Sequence, residues 1–158
     1  MSMMPDPILI TDVEPGEHGS DVTTPLPLGR GESSLRVRVR PQYLPDRSDA
    51  DRPLHVFAYA VSIEHVGPAG APSVRVVDRQ WRIIDAHGEE EWVEGEGVVG
   101  RKPTLAPGDS FEYASYCPMR TRWGTMEGRL GVIVLDGEHA GQRCQVDVGR
   151  FYLVAASD

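Results

Sequence analysis

Hydrophobic and polar residues alternate along most of the chain, and this two-residue period is typical of β-strands. Leu35, Val37 and Val39 are separated by arginines, which predicts a strand with one buried and one solvated face. The segment from His55 to Glu64 is apolar at nearly every position, which predicts a central strand in a sheet that packs on at least one side. No segment longer than about eight residues shows the i, i+3, i+4 apolar spacing of a helix.

The rest of the chain continues this strand pattern. Val74 to Asp85 and a short segment, Glu91 to Val93, flank a turn at 86–88, which predicts a hairpin. Three more strands are predicted over 110–117, 128–135 and 144–154. Turn signals recur about every ten residues, so the sequence predicts an all-β fold of about six to eight strands. The fold class is an antiparallel β-sandwich of immunoglobulin or fibronectin type III kind with Trp81 in its core, and a small barrel is the alternative.

Residues 1–34 differ in composition from the rest of the chain. They hold six acidic residues and one basic residue, a net charge of −5 out of −8 for the whole chain. They also contain five prolines and four glycines and no sustained hydrophobic period, so burial offsets little of the entropy lost on ordering. The sequence predicts an acidic, extended or flexible arm over 1–34 and a folded domain over 35–158.

Charge, hydropathy and cysteine content limit the classes of partner and the location. The net charge of −8 argues against a general nucleic-acid binder, because phosphate-backbone affinity requires clustered cations. No apolar run approaches the roughly 20 residues of a membrane helix, and the first residues do not form a secretory signal. Cys117 and Cys144 lack metal-ligand spacing, so we expect a cytoplasmic protein with two free thiols. A disulfide between them remains open if their strands are neighbours.

The stretch from Gly95 to Gly100 matches the dinucleotide-binding pattern G-x-G-x-x-G. That pattern works by opening a helix, whereas Arg101, Lys102 and Pro103 follow here, which argues against a Rossmann site. Two interpretations remain. The glycines either permit tight turning or expose amides that bind pyrophosphate or another phosphate-containing small ligand. The residues of this candidate anion site are Gly95, Gly97, Val98, Gly100, Arg101 and Lys102.

Acidic residues gather at the predicted hairpin turn, where Asp85, His87 and the run 89–91 suggest a divalent-metal site. The spacing matches no established metal motif, and a solvated hairpin tip accounts for the same residues. Cys117 lies in a strand pattern rather than at the strained turn of a catalytic nucleophile. We therefore predict no catalytic residue, no metal ligand and no cofactor.

Trp123 is placed by the sequence in a loop over 118–124, after Arg120 and Arg122. An exposed tryptophan with basic neighbours is a candidate contact for a protein partner. The alternative is a ring that caps one end of the sandwich.

Two motifs taken together resemble the ApaG family. The first is Arg79-Gln80-Trp81-Arg82-Ile83-Ile84-Asp85, and the second is Val93-Glu94-Gly95-Glu96-Gly97-Val98-Val99-Gly100. Similarity extends from about Leu35 to Val154. The resemblance implies a fibronectin type III-like sandwich. In eukaryotes, similar domains are fused to an F-box or occur in a polymerase-delta-interacting protein, which implies protein binding.

In bacteria the family is linked by name and gene neighbourhood to diadenosine tetraphosphate metabolism, and by phenotype to cobalt and magnesium resistance. Three hypotheses follow for this chain. The first is a non-catalytic module that binds a protein partner or a second copy of itself. The alternatives are an anion binder that uses residues 95–102 and a divalent-metal-responsive protein that uses the acids near Asp85.

Overall fold

The computed structural model describes residues 13–28, 33–49 and 51–155. Within them the chain forms nine β-strands and a short 3₁₀ turn at Pro45–Arg47. No helix in these ranges is long and apolar enough to cross a membrane. The strands are β1 (Ser20–Pro25), β2 (Ser34–Tyr43), β3 (His55–His65), β4 (Val74–Asp85), β5 (Glu90–Glu96), β6 (Thr104–Leu105), β7 (Ser110–Met119), β8 (Trp123–Val134) and β9 (Arg143–Val154).

The strands form two sheets that pack face to face. One sheet has the order β1-β2-β3-β7, and the other has the order β5-β4-β8-β9, with β6 beside the start of β4. Every pair of neighbouring strands is antiparallel. The predicted fibronectin type III-like β-sandwich is therefore confirmed.

Most strand predictions are confirmed, and β4 begins and ends where the sequence predicts. β8 differs from the strand predicted over 128–135, because it begins at Trp123. The loop before it therefore covers only 120–122 and not the predicted 118–124. Glycines interrupt the apolar alternation of β8 because neighbouring side-chain and backbone atoms fill the space of their missing Cβ. A Cβ on Gly124 would lie 2.5 Å from Met119 Cε, and one on Gly128 would lie 3.0 Å from Trp81 Cε3.

Trp81 lies in the centre of the core, as predicted, with 3% of its surface exposed. Its ring makes edge contacts with Tyr59 and Phe151, at centroid distances of 5.5 and 5.8 Å. The three aromatic residues come from β4, β3 and β9 and so join the two sheets. Edge-to-face contacts of this kind add to the stabilisation from buried area.

The N-terminal segment is part of the sandwich, which corrects the prediction of an arm over 1–34. β1 pairs with β2 from Ser20↔Val39 to Pro25↔Ser34, and Leu26 after it is fully buried. The prediction is wrong for 20–28 because β1 is held by backbone hydrogen bonds, which a weak apolar period does not reveal. Residues 1–12 and 29–32 lie outside the described residues.

The same segment also covers the edge of β9 in the other sheet. Tyr152 N donates to His18 O at 2.9 Å, and Asp147 N donates to Thr24 Oγ1 at 3.1 Å. The two sheets are joined on this side, while β5 and β7 are the edge strands on the opposite side. Covering an edge in this way removes a site for unwanted strand pairing.

The substitution Leu26→Ala tests whether the N-terminal segment contributes to stability. It should lower the free energy of unfolding by about 2–5 kcal/mol, because it removes a fully buried side chain. Urea denaturation followed by circular dichroism measures the change. Val66→Ala, at a residue 41% exposed, is the control and should change the free energy by less than about 0.5 kcal/mol. Equal, small effects of the two substitutions would restore the flexible-arm interpretation.

Candidate functional site

The glycine-rich stretch begins inside β5. Gly95 is paired with Arg79 across the β4–β5 hairpin, and the guanidinium lies over the glycine. A Cβ at Gly95 would lie 2.5 Å from Arg79 Nη1. The same nitrogen donates to the backbone carbonyls of Glu96 and Gly97, each at 3.1 Å. Gly95 thus allows the close approach of Arg79, which in turn holds the end of β5.

Residues 97–101 form a tight turn. Gly97 N donates to Val77 O at 2.7 Å, and Val98 and Arg101 exchange two hydrogen bonds of 2.7 and 3.0 Å between N and O. Between them, Val99 and Gly100 have φ values of 45° and 79°, as in the type I′ turns of hairpins. An anion site would use the amides of Gly97, Val98 and Arg101, and all three are bonded to carbonyls of the protein itself.

The two cations after this turn lie in solvent. Arg101 and Lys102 are exposed, and Lys102 Nζ lies 3.9 Å from Glu96 Oε1. Val98, in contrast, is fully buried and joins the turn to the core. Because salt and water screen exposed charges, these two side chains alone give only weak attraction for an anion. The geometry thus favours the tight-turn interpretation of the stretch.

Trp123 is the first residue of β8 and not the loop residue that the sequence predicts. It is 49% exposed and lies opposite Val154 of β9, with Tyr152 opposite Thr125 in the next outward-facing pair. Tyr152 and Val154 are 42% and 39% exposed. We call Trp123, Tyr152 and Val154 the β8–β9 patch. In the described part of the chain, six large hydrophobic residues are exposed, and the patch holds three of them. The six are Val66, Trp92, Val99, Trp123, Tyr152 and Val154.

Tyr152 and Val154 were not predicted as site residues, although the alternation of β9 contains the signal. Phe151 and Leu153 are fully buried, so Tyr152 between them and Val154 after them face outward. Only the β8–β9 register shows that these residues lie beside Trp123. Sequence separation hides this cross-strand contact, because about thirty residues lie between the two halves of the patch.

The backbone around the patch is held by hydrogen bonds. Thr121, which is 7% exposed, accepts a hydrogen bond from Ala86 N at 3.0 Å and donates one to Trp123 O at 2.7 Å through its hydroxyl. Ala155 N donates to Arg122 O at 2.8 Å, immediately after β9. The backbone that carries the tryptophan is thus held on both sides by hydrogen bonds.

A second exposed tryptophan, Trp92 of β5, has a different environment. Its Nε1 donates to Glu90 Oε1 at 3.0 Å, and the Arg82 guanidinium carbon lies 5.8 Å from the ring centroid. Arg82 is also paired with Glu90 at 2.6 Å. Among the described residues, Trp123 makes no ring or cation contact of this kind. Of the two rings, Trp123 is therefore the one whose faces are available.

Two of the acidic residues at the hairpin tip, Asp85 and Glu90, have structural partners. Asp85 Oδ1 accepts hydrogen bonds from the backbone N of His87 and of Glu89, at 2.8 and 3.0 Å. Glu90 is paired with Arg82, and that hydrogen bond lowers the pKa of its carboxyl group. Within 13–28, 33–49 and 51–155, no group of three His, Cys, Asp or Glu side chains is arranged to hold a metal ion.

The two cysteines are free and lie in different sheets. Cys117 of β7 is 3% exposed, and burial raises the pKa of its thiol to about 12. At neutral pH this thiol is protonated, so it is not a nucleophile.

Comparison with known proteins identifies relatives of the chain. The family model described as the ApaG domain matches residues 45–133. A protein ApaG from Acidovorax sp. strain JS42 is 43% identical over 104 residues, which are 66% of this chain and 74% of that protein. A protein ApaG from Bradyrhizobium diazoefficiens is 40% identical over 119 residues, 75% of this chain and 86% of that one. A solved Bordetella pertussis structure, described as an ApaA protein, has a TM-score of 0.70 and 39% identity and covers 78% of this chain and 94% of that chain.

A titration with pyrophosphate tests the glycine-rich turn. We expect the amide resonances of Gly97 and Val98 in the ¹⁵N-labelled chain to stay unchanged, because both N–H groups are bonded to carbonyls. The Lys102→Ala variant is the control for weak attraction by the exposed cations. Saturable shifts at Gly97 and Val98 that weaken in Lys102→Ala would restore the anion-binding interpretation.

Proposed function

The chain belongs to the ApaG family, and we propose that it acts as a non-catalytic binding module for a protein partner. The observation that carries the proposal is the β8–β9 patch, where Trp123, Tyr152 and Val154 are exposed side by side. Tryptophan and tyrosine are the residues that most often dominate binding energy at protein interfaces. Contiguous exposed apolar groups on a soluble domain commonly mark such interfaces.

The charges beside the patch support a protein ligand. Arg120 and Arg122 precede Trp123 and are exposed, and Arg150 beside Tyr152 is paired with Glu127 at 2.8 Å. An apolar centre with a charged rim is the usual composition of a protein interface. The family's links to cobalt and magnesium resistance and to diadenosine tetraphosphate metabolism would then act through the partner.

The proposal is tested by capturing proteins from cell lysate with three immobilised forms of the full chain, namely wild type, Trp123→Ala and Trp92→Ala. We expect wild type and Trp92→Ala to enrich the same protein in stoichiometric amount. Trp123→Ala should lose at least about ten-fold in affinity, because an interfacial tryptophan typically contributes 2 kcal/mol or more. All three should remain folded at the temperature of the assay, which circular dichroism checks, since both tryptophans are about half exposed.

Sedimentation velocity on the same proteins examines self-association. A wild-type dimer that becomes monomeric in Trp123→Ala would identify a second copy as the partner. A partner that Trp123→Ala retains, or that only Trp92→Ala loses, would contradict a role for the β8–β9 patch. A wild-type chain that enriches no protein and sediments as a monomer would contradict the binding module itself.

A further inference from the structure

Two adjoining cavities lie on the open side of the sandwich, where β5 and β7 are edge strands. The cavity that we call the acidic groove has a volume of about 620 Å³ and lies between the β4–β5 turn and the end of β7. The cavity that we call the inter-sheet slot has a volume of about 230 Å³ and reaches Trp81 and Met126 of the core. Ile83, Glu91 and Pro118 line both cavities, so the groove leads into the slot.

The slot has an apolar wall that the core does not fully cover. Trp81 of β4 is paired with Val93 of β5, and both side chains face the core. Two residues further along β4, Ile83 is paired with Glu91, and these side chains share the same inner face. Trp81 is 3% exposed, whereas Ile83 and Val93 are only partly buried. An apolar side chain of a ligand that enters the slot therefore removes this remaining apolar surface from water.

Glu91 differs from the other glutamates of β5 in the direction of its side chain. The alternation of the strand places the other three, Glu90, Glu94 and Glu96, on the outer face of the sheet. Glu91 is exposed where the groove meets the slot, and in the described part of the chain its carboxylate makes no ion pair or hydrogen bond. Arg79, the basic residue of the slot lining, donates instead to two backbone carbonyls at the end of β5. Glu91 is therefore an inward-facing charge beside apolar surface, with no cation paired to it among these residues.

The lining of the acidic groove carries an excess of negative charge. Its four carboxylates belong to Asp85, Glu89, Glu90 and Glu91. Arg120 supplies one positive charge to the lining, and His87 is its other titratable side chain. Two of the carboxylates have partners within the hairpin, whereas those of Glu89 and Glu91 have no ion pair or hydrogen bond within 13–28, 33–49 and 51–155. Negative charge that lines a cleft attracts cationic ligands and repels anionic ones.

We propose that the acidic groove and the inter-sheet slot together bind a basic segment of a protein partner. An apolar side chain of the segment enters the slot against Ile83 and Val93, and lysine or arginine side chains beside it pair with Glu89 and Glu91. The segment lies between the two sheets and extends neither, because Pro118 and the β5 glutamates discourage strand pairing. None of these residues belongs to the β8–β9 patch, so the proposal stands independently of the proposed function.

The test is a titration of the ¹⁵N-labelled full chain with the capped peptide Lys-Ser-Leu-Ser-Lys, in which alternate residues of an extended chain share one face. We expect saturable shifts at the amides of Glu91, Val93 and Met119, which line the two cavities. Replacing the leucine by serine should weaken binding about ten-fold, because less apolar surface is buried. Replacing both lysines by glutamates should abolish the shifts. A lysine peptide that causes no saturable shift, a serine peptide that binds equally well, or a glutamate peptide that binds would each overturn the proposal.

Two matched variants of β5 locate the bound peptide. Glu91→Gln keeps the size of the side chain and removes the inward-facing charge, so it should weaken the lysine peptide several-fold. Glu94→Gln makes the same change on the outer face, outside both linings, where Glu94 accepts a hydrogen bond from Gln80 at 2.8 Å. It should change the affinity by less than about two-fold.

Equal weakening by the two variants would indicate general attraction to an acidic strand and would overturn the proposed position, as would an unchanged affinity in Glu91→Gln. Trp123→Ala should bind the lysine peptide as wild type does. This result separates the groove from the β8–β9 patch, and loss of peptide binding in Trp123→Ala would contradict the groove as the binding site.

Discussion

The contact of Trp81 with Tyr59 and Phe151 is the interaction on which the rest of the structure depends. It joins three strands of two sheets through rings whose centroids lie 5.5 to 5.8 Å apart. Because side chains alternate along a strand, placing Trp81 inward also places Arg79 and Ile83 inward. The same register then pairs Arg79 with Gly95 of β5. One buried tryptophan thus sets the geometry of the β4–β5 hairpin.

Several glycines within the strands leave space for neighbouring groups. Gly95 admits the Arg79 guanidinium, and Gly149 admits Val22 of β1, whose Cγ2 would lie 2.6 Å from an added Cβ. The two motifs that resemble the ApaG family are therefore the two sides of one packed hairpin. This packing gives the G-x-G-x-x-G match a structural role that needs no nucleotide.

The two lateral sides of the sandwich differ in how they are protected. The side with β1 and β9 is covered by the N-terminal segment, while β5 and β7 remain as edge strands on the other side. Four glutamates in β5 and Pro118 in β7 discourage pairing with another strand at those edges. The β8–β9 patch lies on the outer face of the sheet that contains β8 and β9.

The sequence by itself determined the β-sandwich, most of the strand limits and the burial of Trp81, because alternation with a period of two is a local property of the chain. It missed β1, whose mostly polar residues are held by backbone hydrogen bonds to β2. Trp123 was recognised as a candidate, but its neighbours Tyr152 and Val154 were not. Only the tertiary structure decided those neighbours and the carbonyl partners of the 97–101 amides. Each of these depends on the register between strands distant in sequence, which long-range packing and hydrogen bonding fix and local periodicity does not encode.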